Sequence, residues 1–332
     1  MLQPATPLST LEKPPSTREV HVWADYIELL CLVSIDQEIS KADVLDRVRE
    51  RRDLDEPDDA SLLDDSAVRG GAAEHDDRFS TDLDDIFAHL VYREGTFKDA
   101  YPFTIGQGRV LRVKASLAMR HRLYIFFLLS ANLRYLPRSL TSKLTSDFEL
   151  LSAEVLRACL PSGAEVHVFG SNALHSAQPR YAGRLWNKIQ RLAADLHERP
   201  AIPETEFKPT DTGDNGLDIV GWVPAGDKAG GFFLVFGQCA CTEDWVSKQH
   251  SSSAEQWRAT MSLLATPSNM VFVPYCFRQS NGEWLRRHDI HGTVLIDRPR
   301  FVYYLPNGHE ILTVQPSNDI VGDLLKQRES LE

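Results

Sequence analysis

The sequence predicts an α/β fold with a helical region ahead of it, and three observations carry that expectation. Helical spacing of apolar residues dominates roughly the first 140 positions. In the second half, amphipathic helical patterns alternate with short β-branched and aromatic runs. Two of those runs, "GLDIVGWV" and "GFFLVFGQCAC", are joined by "PAGDKAGG", whose Pro, Gly and Asp content is that of a hairpin loop.

The elements follow in order. Residues 1–20 contain several prolines and are expected to be flexible. "VHVWADYIELLCLVSI" has apolar residues at helical spacing, and "SKADVLDRVRERR" opens with Ser40 and Asp43 in a capping-box arrangement, so two helices are expected there. They could form a helix-turn-helix, but the second is only mildly basic, and a packing unit is the preferred reading. "RLYIFFLLSANL" reads as a buried helix, "YPFTIGQGRVLRVK" as a turn with a short strand, and "SDFELLSAEVLRACL" as a helix before a strand over 165–169. "RYAGRLWNKIQRLAADLHERP" places Leu185, Ile189, Leu192 and Leu196 on one stripe, with Pro200 closing the helix. A helix with Thr242 as N-cap, strands in "MVFVPYCF" and "HGTVLIDRPRFVYYL", and a terminal helix in "NDIVGDLLKQRESL" complete the chain. The expected organisation is a helical N-terminal domain over 21–140 and an α/β domain over 145–332.

Composition excludes several classes. With 42% hydrophobic and 25% charged residues, the 332-residue chain reads as an ordinary globular protein. No run of eighteen apolar residues is present and the start lacks a signal-peptide pattern, so no membrane partner and a cytoplasmic location are expected. Five cysteines, mostly among apolar neighbours, indicate packed thiols; Cys239 and Cys241 lack the further Cys or His residues of a zinc site. The net charge of −11 is concentrated between Asp53 and Asp85, where thirteen acids face two bases, and the rest of the chain is balanced. That acidic stretch is expected to be a mobile loop. A balanced remainder leaves a nucleic-acid partner open.

Asp218 in "GLDIVGW" is a carboxylate inside an apolar strand, and Gln238 in "FGQCA" repeats the oddity. If the two strands fold back around Lys228, the two residues face each other on one side of the sheet, about 5 Å apart at Cβ. A buried carboxylate needs a partner, a proton or a cation. The arrangement of an acid opening one hairpin strand, then an apolar strand ending in Gln-Cys-Ala, then a helix, resembles the core of the PD-(D/E)XK nuclease superfamily, the fold of restriction endonucleases. The resemblance covers roughly 180–277. It implies that Asp218 and Gln238, through its amide oxygen, bind Mg²⁺ or Mn²⁺ with help from the Cys239 main-chain carbonyl. Ala240 stands where that family usually has Lys, which implies that Lys248 on the following helix positions water, with Trp245 packed beside the site. The helix before the hairpin has Trp186 and Asn187 at its centre instead of a carboxylate; Asp214, Glu204 and Glu206 are the acids nearest in sequence.

The resemblance thus implies a metal-dependent nuclease acting on DNA, of the kind that serves bacterial defence against phage or other foreign DNA, with or without a partner protein. The alternative is a catalytically inactive nuclease-fold subunit that binds nucleic acid or a partner. A further option is a purely structural role in which Lys208 or Lys248 neutralises Asp218. Among weaker patterns, Arg286, Arg287, Arg298 and Arg300 with Trp284, Phe301 and Tyr303 suit phosphate contacts and base stacking, or equally charged strand ends. His288 and His291 read as an ordinary polar loop, and no nucleotide-binding glycine motif or nucleophile elbow is present.

Overall fold

The structure, a computed structural model, describes residues 8, 11, 13–54, 72–170 and 179–328. The chain begins with α1 (Val20–Val33), β1 (Glu38–Ser40), α2 (Lys41–Leu54), α3 (Ala72–Phe97), β2 (Phe103–Gly106) and β3 (Val110–Val113). The three strands form a small antiparallel sheet in the order β1-β3-β2. α1 is apolar around most of its circumference and is accordingly buried on nearly every side. α2 starts as expected: Ser40 Oγ accepts the Asp43 N–H at 3.2 Å and Asp43 Oδ2 accepts the Ser40 N–H at 2.7 Å.

The acidic stretch is not a loop throughout. Residues 72–85 belong to α3, because Phe79, Leu83, Ile86, Phe87 and Leu90 recur at helical spacing and are all buried. Residues 55–71 lie outside the described residues. In the expected flexible start, Leu8 and Leu11 are buried and the Tyr26 hydroxyl donates to the Leu11 carbonyl at 3.0 Å; residues 1–7, 9, 10 and 12 lie outside the described residues.

The chain continues through α4 (Met119–Ser130), α5 (Arg138–Cys159), β4 (Glu165–Val168), α6 (Leu185–Asp195), β5 (Arg199–Pro200), β6 (Ile219–Val223) and β7 (Phe233–Cys239). It ends with α7 (Trp245–Lys248), α8 (Ala254–Arg258), β8 (Met261–Ser262), β9 (Ser268–Phe272), β10 (Val294–Ile296), α9 (Arg298–Tyr304) and α10 (Gln315–Leu324). The main sheet has the order β10-β9-β7-β6-β4. β4, β6 and β7 are an antiparallel meander; β9 and β10 run parallel to β7. The chain is therefore α/β with a five-stranded mixed sheet.

Strand parity divides the sheet between two layers. Val166, Val168, Ile219 and Val235 pack on the side of α4 and α5 with Phe127, Phe148 and Leu156. Val220, Trp222, Leu234 and Phe236 pack with Ile189 and Leu192 of α6 and with Trp257 and Met261. The first cluster runs from Leu8 to Leu324, and α5 itself crosses the boundary expected between 140 and 145.

A buried ion network fastens the two halves of the sequence together. Arg93 of α3 contacts Asp25 at 2.6 Å and Glu28 at 2.9 Å, and Arg298 of α9 reaches Asp25 at 2.9 Å. Tyr101 and Tyr124 donate to Glu28 at 2.8 and 2.9 Å. Burial alone would raise the Asp25 carboxyl, but Arg298 and Arg93 outweigh it and hold it down to about 2. Two charges of each sign cancel, which is the condition under which full burial is tolerable.

Three expectations from the sequence need correction here. Arg298 is fully buried in this network and its Nε donates to the Pro274 carbonyl at 2.9 Å, so it makes no phosphate-facing cluster with its neighbours. "RPRFVYY" is α9, not strand: Pro299 occupies its first turn and Phe301 turns into the core against Phe127 and Phe148. The helix expected from Thr242 is broken into α7, with Asp244 as N-cap, and α8. Serines 251–253 interrupt it, since Ser252 Oγ donates to Asn269 Oδ1 at 2.8 Å and Ser253 caps α8.

Candidate functional site

The site forms where the C-terminal ends of β4, β7 and β9 meet the start of β6. A tight turn delivers the chain there: Asn215 and Gly216 have φ of 54° and 74°, and Asp214 Oδ1 accepts the Gly216 N–H at 2.9 Å. The main chain of Asp218 is then held on both sides. Its N–H donates to Gly237 O at 3.0 Å, and its carbonyl accepts from Phe169 N at 2.7 Å and Gly170 N at 3.1 Å.

The ladder pairs Ile219 with Gly237 through Val223 with Phe233, so Asp218 lies opposite Gln238 as the hairpin centred on Lys228 requires. Their side chains meet. Gln238 Nε2 donates to Asp218 Oδ2 at 2.5 Å and to the Cys239 carbonyl at 3.2 Å, while the Cys239 N–H donates to Asp218 Oδ2 at 2.7 Å. Both residues are buried, with 6% and 9% of their surface exposed. Gln238 Oε1 is buried and has no hydrogen-bond partner among the described residues. No lysine hydrogen-bonds the Asp218 carboxylate among the described residues, and burial, reinforced by the charge of Asp214, raises it to about 7 against the Cys239 N–H and Lys248.

Sequence reasoning missed Glu149. The helix that precedes the three-stranded meander is α5, and α6 is inserted between β4 and β6. Glu149 sits on the buried face of α5. A Cβ built on Gly170 would stand 3.0 Å from Glu149 Oε2 and 3.1 Å from Asp218 Oδ1, which places those oxygens within about 6 Å of each other. Glycine at 170 is what allows both carboxylates to approach the end of β4. The available signal was a glutamate between Phe148 and Leu151 in an otherwise apolar helical face.

Of the nearby acids, the structure selects Asp214, whose charge acts on both Asp218 and Lys188. Glu204 pairs with Arg184 at 3.1 Å, Glu206 is exposed, and Trp186 packs against Phe207. Lys248 acts on Asp218 through its charge, but its ammonium hydrogen-bonds Thr242 Oγ1 at 2.8 Å and pairs with Asp244 at 3.2 Å. Trp245 packs on Phe277, in the same cluster as Ala240. Lys188 of α6, unremarked in the sequence, is buried with its ammonium facing three carbonyls: Gly213 at 2.9 Å, Thr212 at 3.1 Å and Phe169 at 3.5 Å. It ties the loop that carries Asp214 to the end of β4. Burial raises the thiols of Cys239 and Cys241 above their ordinary range, so both are neutral packing groups.

No group of three His, Cys, Asp or Glu residues that could hold a metal ion is present among the described residues. The donor set expected from the sequence is of another kind: one carboxylate, one carboxamide and one main-chain carbonyl. The carboxylate and the main-chain carbonyl converge on the Gln238 amide, and all three groups carry the hard oxygens that Mg²⁺ and Mn²⁺ take. Several of the remaining candidates make local contacts. Arg278 and Arg300 both lie over the Trp284 ring, at 3.5 and 4.8 Å, Arg286 pairs with Asp289 at 2.7 Å, and His291 stacks with His250 at 6.3 Å. Comparisons with family models, with curated proteins and with solved structures found no match to this chain. No helix among the described residues is long and apolar enough to cross a membrane.

Proposed function

We propose that the chain is a metal-dependent nuclease-like protein of PD-(D/E)XK type that hydrolyses phosphodiester bonds in DNA. One observation carries the reading: Asp218 and Gln238 meet side chain to side chain at the end of the sheet, in the register their roles demand. The order of elements supports it. A helix (α5), three antiparallel strands (β4, β6, β7), a helical crossover (α7 and α8) and a strand parallel to the third (β9) follow in the order that the resemblance implies.

In this reading Asp218, the Gln238 amide oxygen and the Cys239 carbonyl hold Mg²⁺ or Mn²⁺, and Glu149 adds a second carboxylate close by. When bound, such a cation acts as a Lewis acid on a phosphoryl oxygen. The protein's own residues prepare the site. The Cys239 N–H orients Asp218, Gly170 leaves room for two carboxylates, and Lys188 fixes the 211–214 loop. Lys248, on the short helix after β7, positions water once it leaves Thr242 and Asp244. Defence against foreign DNA is the setting that the resemblance implies.

A specific observation favours the second reading, an inactive nuclease-fold subunit that binds nucleic acid or a partner protein. Ala240 stands at the lysine position, and Lys248 is engaged by Thr242 and Asp244. Incubation with plasmid and oligonucleotide DNA in Mg²⁺ or Mn²⁺ separates the two. Hydrolysis abolished by Asp218→Ala supports the enzyme; Asp218-dependent cation binding without hydrolysis supports the subunit.

A further inference from the structure

The Gln238 carboxamide is held in one orientation only. Its NH₂ end faces two acceptors, Asp218 Oδ2 at 2.5 Å and the Cys239 carbonyl at 3.2 Å, and its oxygen faces none among the described residues. Turned over, the oxygen would confront the ionised Asp218 and the Cys239 carbonyl, a repulsive contact that an intervening cation relieves. The Cys239 carbonyl enforces this whatever the proton state of Asp218. The separations matter too. Neighbouring oxygens around Mg²⁺ stand about 3 Å apart, close to the distances that the amide nitrogen now keeps from its two acceptors.

We propose, as a deepening of the nuclease-like reading, that Gln238 is a carboxamide gate: in the metal-free protein its NH₂ group stands where a ligand oxygen would and ties up Asp218 Oδ2 and the Cys239 carbonyl, and a half-turn of the amide brings Oε1 in as a ligand when the cation enters. The gate explains why a buried oxygen is left without a partner while the nitrogen beside it has two. A glutamate at this position could not close the site in this way, because it has no protons to offer Asp218 and the Cys239 carbonyl. Gln therefore exchanges cation affinity for a metal-free state in which Asp218 is hydrogen-bonded. The consequence is a site that loads only at high Mg²⁺ or Mn²⁺ concentration and stays closed otherwise.

The test reads binding and amide orientation apart from activity. Mg²⁺ and Mn²⁺ are titrated calorimetrically at pH 8 into the full chain and into Gln238→Glu, Gln238→Met and Asp218→Ala, with thermal unfolding to confirm that each is folded. The side-chain amide of Gln238 is followed by ¹⁵N NMR, assigned by its loss in Gln238→Glu. Expected are binding about tenfold tighter in Gln238→Glu, since affinity follows the charge of the ligand set, loss of binding in Gln238→Met and Asp218→Ala, and a large shift of the Gln238 amide pair at saturating Mg²⁺. An unmoved amide signal, a Gln238→Glu variant that binds no more tightly, or absence of Asp218-dependent binding overturns the gate. DNA hydrolysis is assayed on the same samples. Amide reorientation without hydrolysis sinks the nuclease reading and leaves the gate; hydrolysis with an unmoved amide does the reverse.

Discussion

Asp218→Asn should stabilise the metal-free protein, and the size of the effect follows from the site. Burial first, and the charge of Asp214 second, raise the Asp218 carboxyl from 3.8 to about 7, against the Cys239 N–H and Lys248. A folded-state value above the unfolded one means that ionisation opposes folding. The favourable contribution is complete below pH 3.8, declines as pH rises, and above pH 7 the whole gap is lost, which corresponds to about 4 kcal/mol. Asparagine keeps an acceptor for Gln238 Nε2 and the Cys239 N–H and has no charge to desolvate. Urea unfolding at pH 8 without divalent ions should show the variant more stable than wild type by up to about 4 kcal/mol, narrowing to less than about 2 kcal/mol at pH 5. Saturating Mg²⁺ should then stabilise wild type alone and close the gap. A variant no more stable than wild type at pH 8, or a difference independent of pH, would refute the reasoning.

Other substitutions probe the supporting structure. Arg298→Met leaves Asp25 and Glu28 with one buried cation in place of two, and should cost about 3–5 kcal/mol in chemical denaturation. Gly170→Ala drives a methyl group against Glu149 and Asp218 and should weaken Mn²⁺ binding about tenfold at a folding cost of about 1–3 kcal/mol. Gly95→Ala, inside α3 with open space around it, is the control and should raise stability by about 1 kcal/mol without touching binding. Glu149→Gln should weaken Mn²⁺ binding measured by calorimetry by a similar factor to Gly170→Ala while leaving the fold intact.

The hairpin was legible because it is a local device. Turn residues around Lys228 set the register, and period-two alternation then decides which residues share a face, so Asp218 and Gln238 could be paired without coordinates. What lay beyond local pattern was harder to read. Glu149 is sixty-nine residues from Asp218 in the sequence, and nothing in α5 alone says which helix covers the end of the sheet. The expected helix was α6, because it immediately precedes β6 among the longer elements, yet it is an insertion. Arg298 looked like a surface cation beside aromatic residues; its partners Asp25 and Glu28 lie 273 and 270 residues away, in a helix whose own apolar pattern was clear. α9 was misread because Phe301, Val302, Tyr303 and Tyr304 have high β propensity, and the Asp297 cap with Pro299 in the first turn outweighed it. In α3, the count of acids obscured a buried stripe that begins at Phe79.

The central claim is that the Asp218 end of the sheet hydrolyses DNA with a divalent cation. The most direct measurement is the initial rate of cleavage of an end-labelled DNA duplex in Mn²⁺ by wild type and by Asp218→Ala, both verified as folded. Wild type should cleave, chelation should stop the cleavage and Asp218→Ala should lack it; cleavage at an equal rate by Asp218→Ala, or none by a wild type whose site demonstrably binds Mn²⁺, would overturn the assignment.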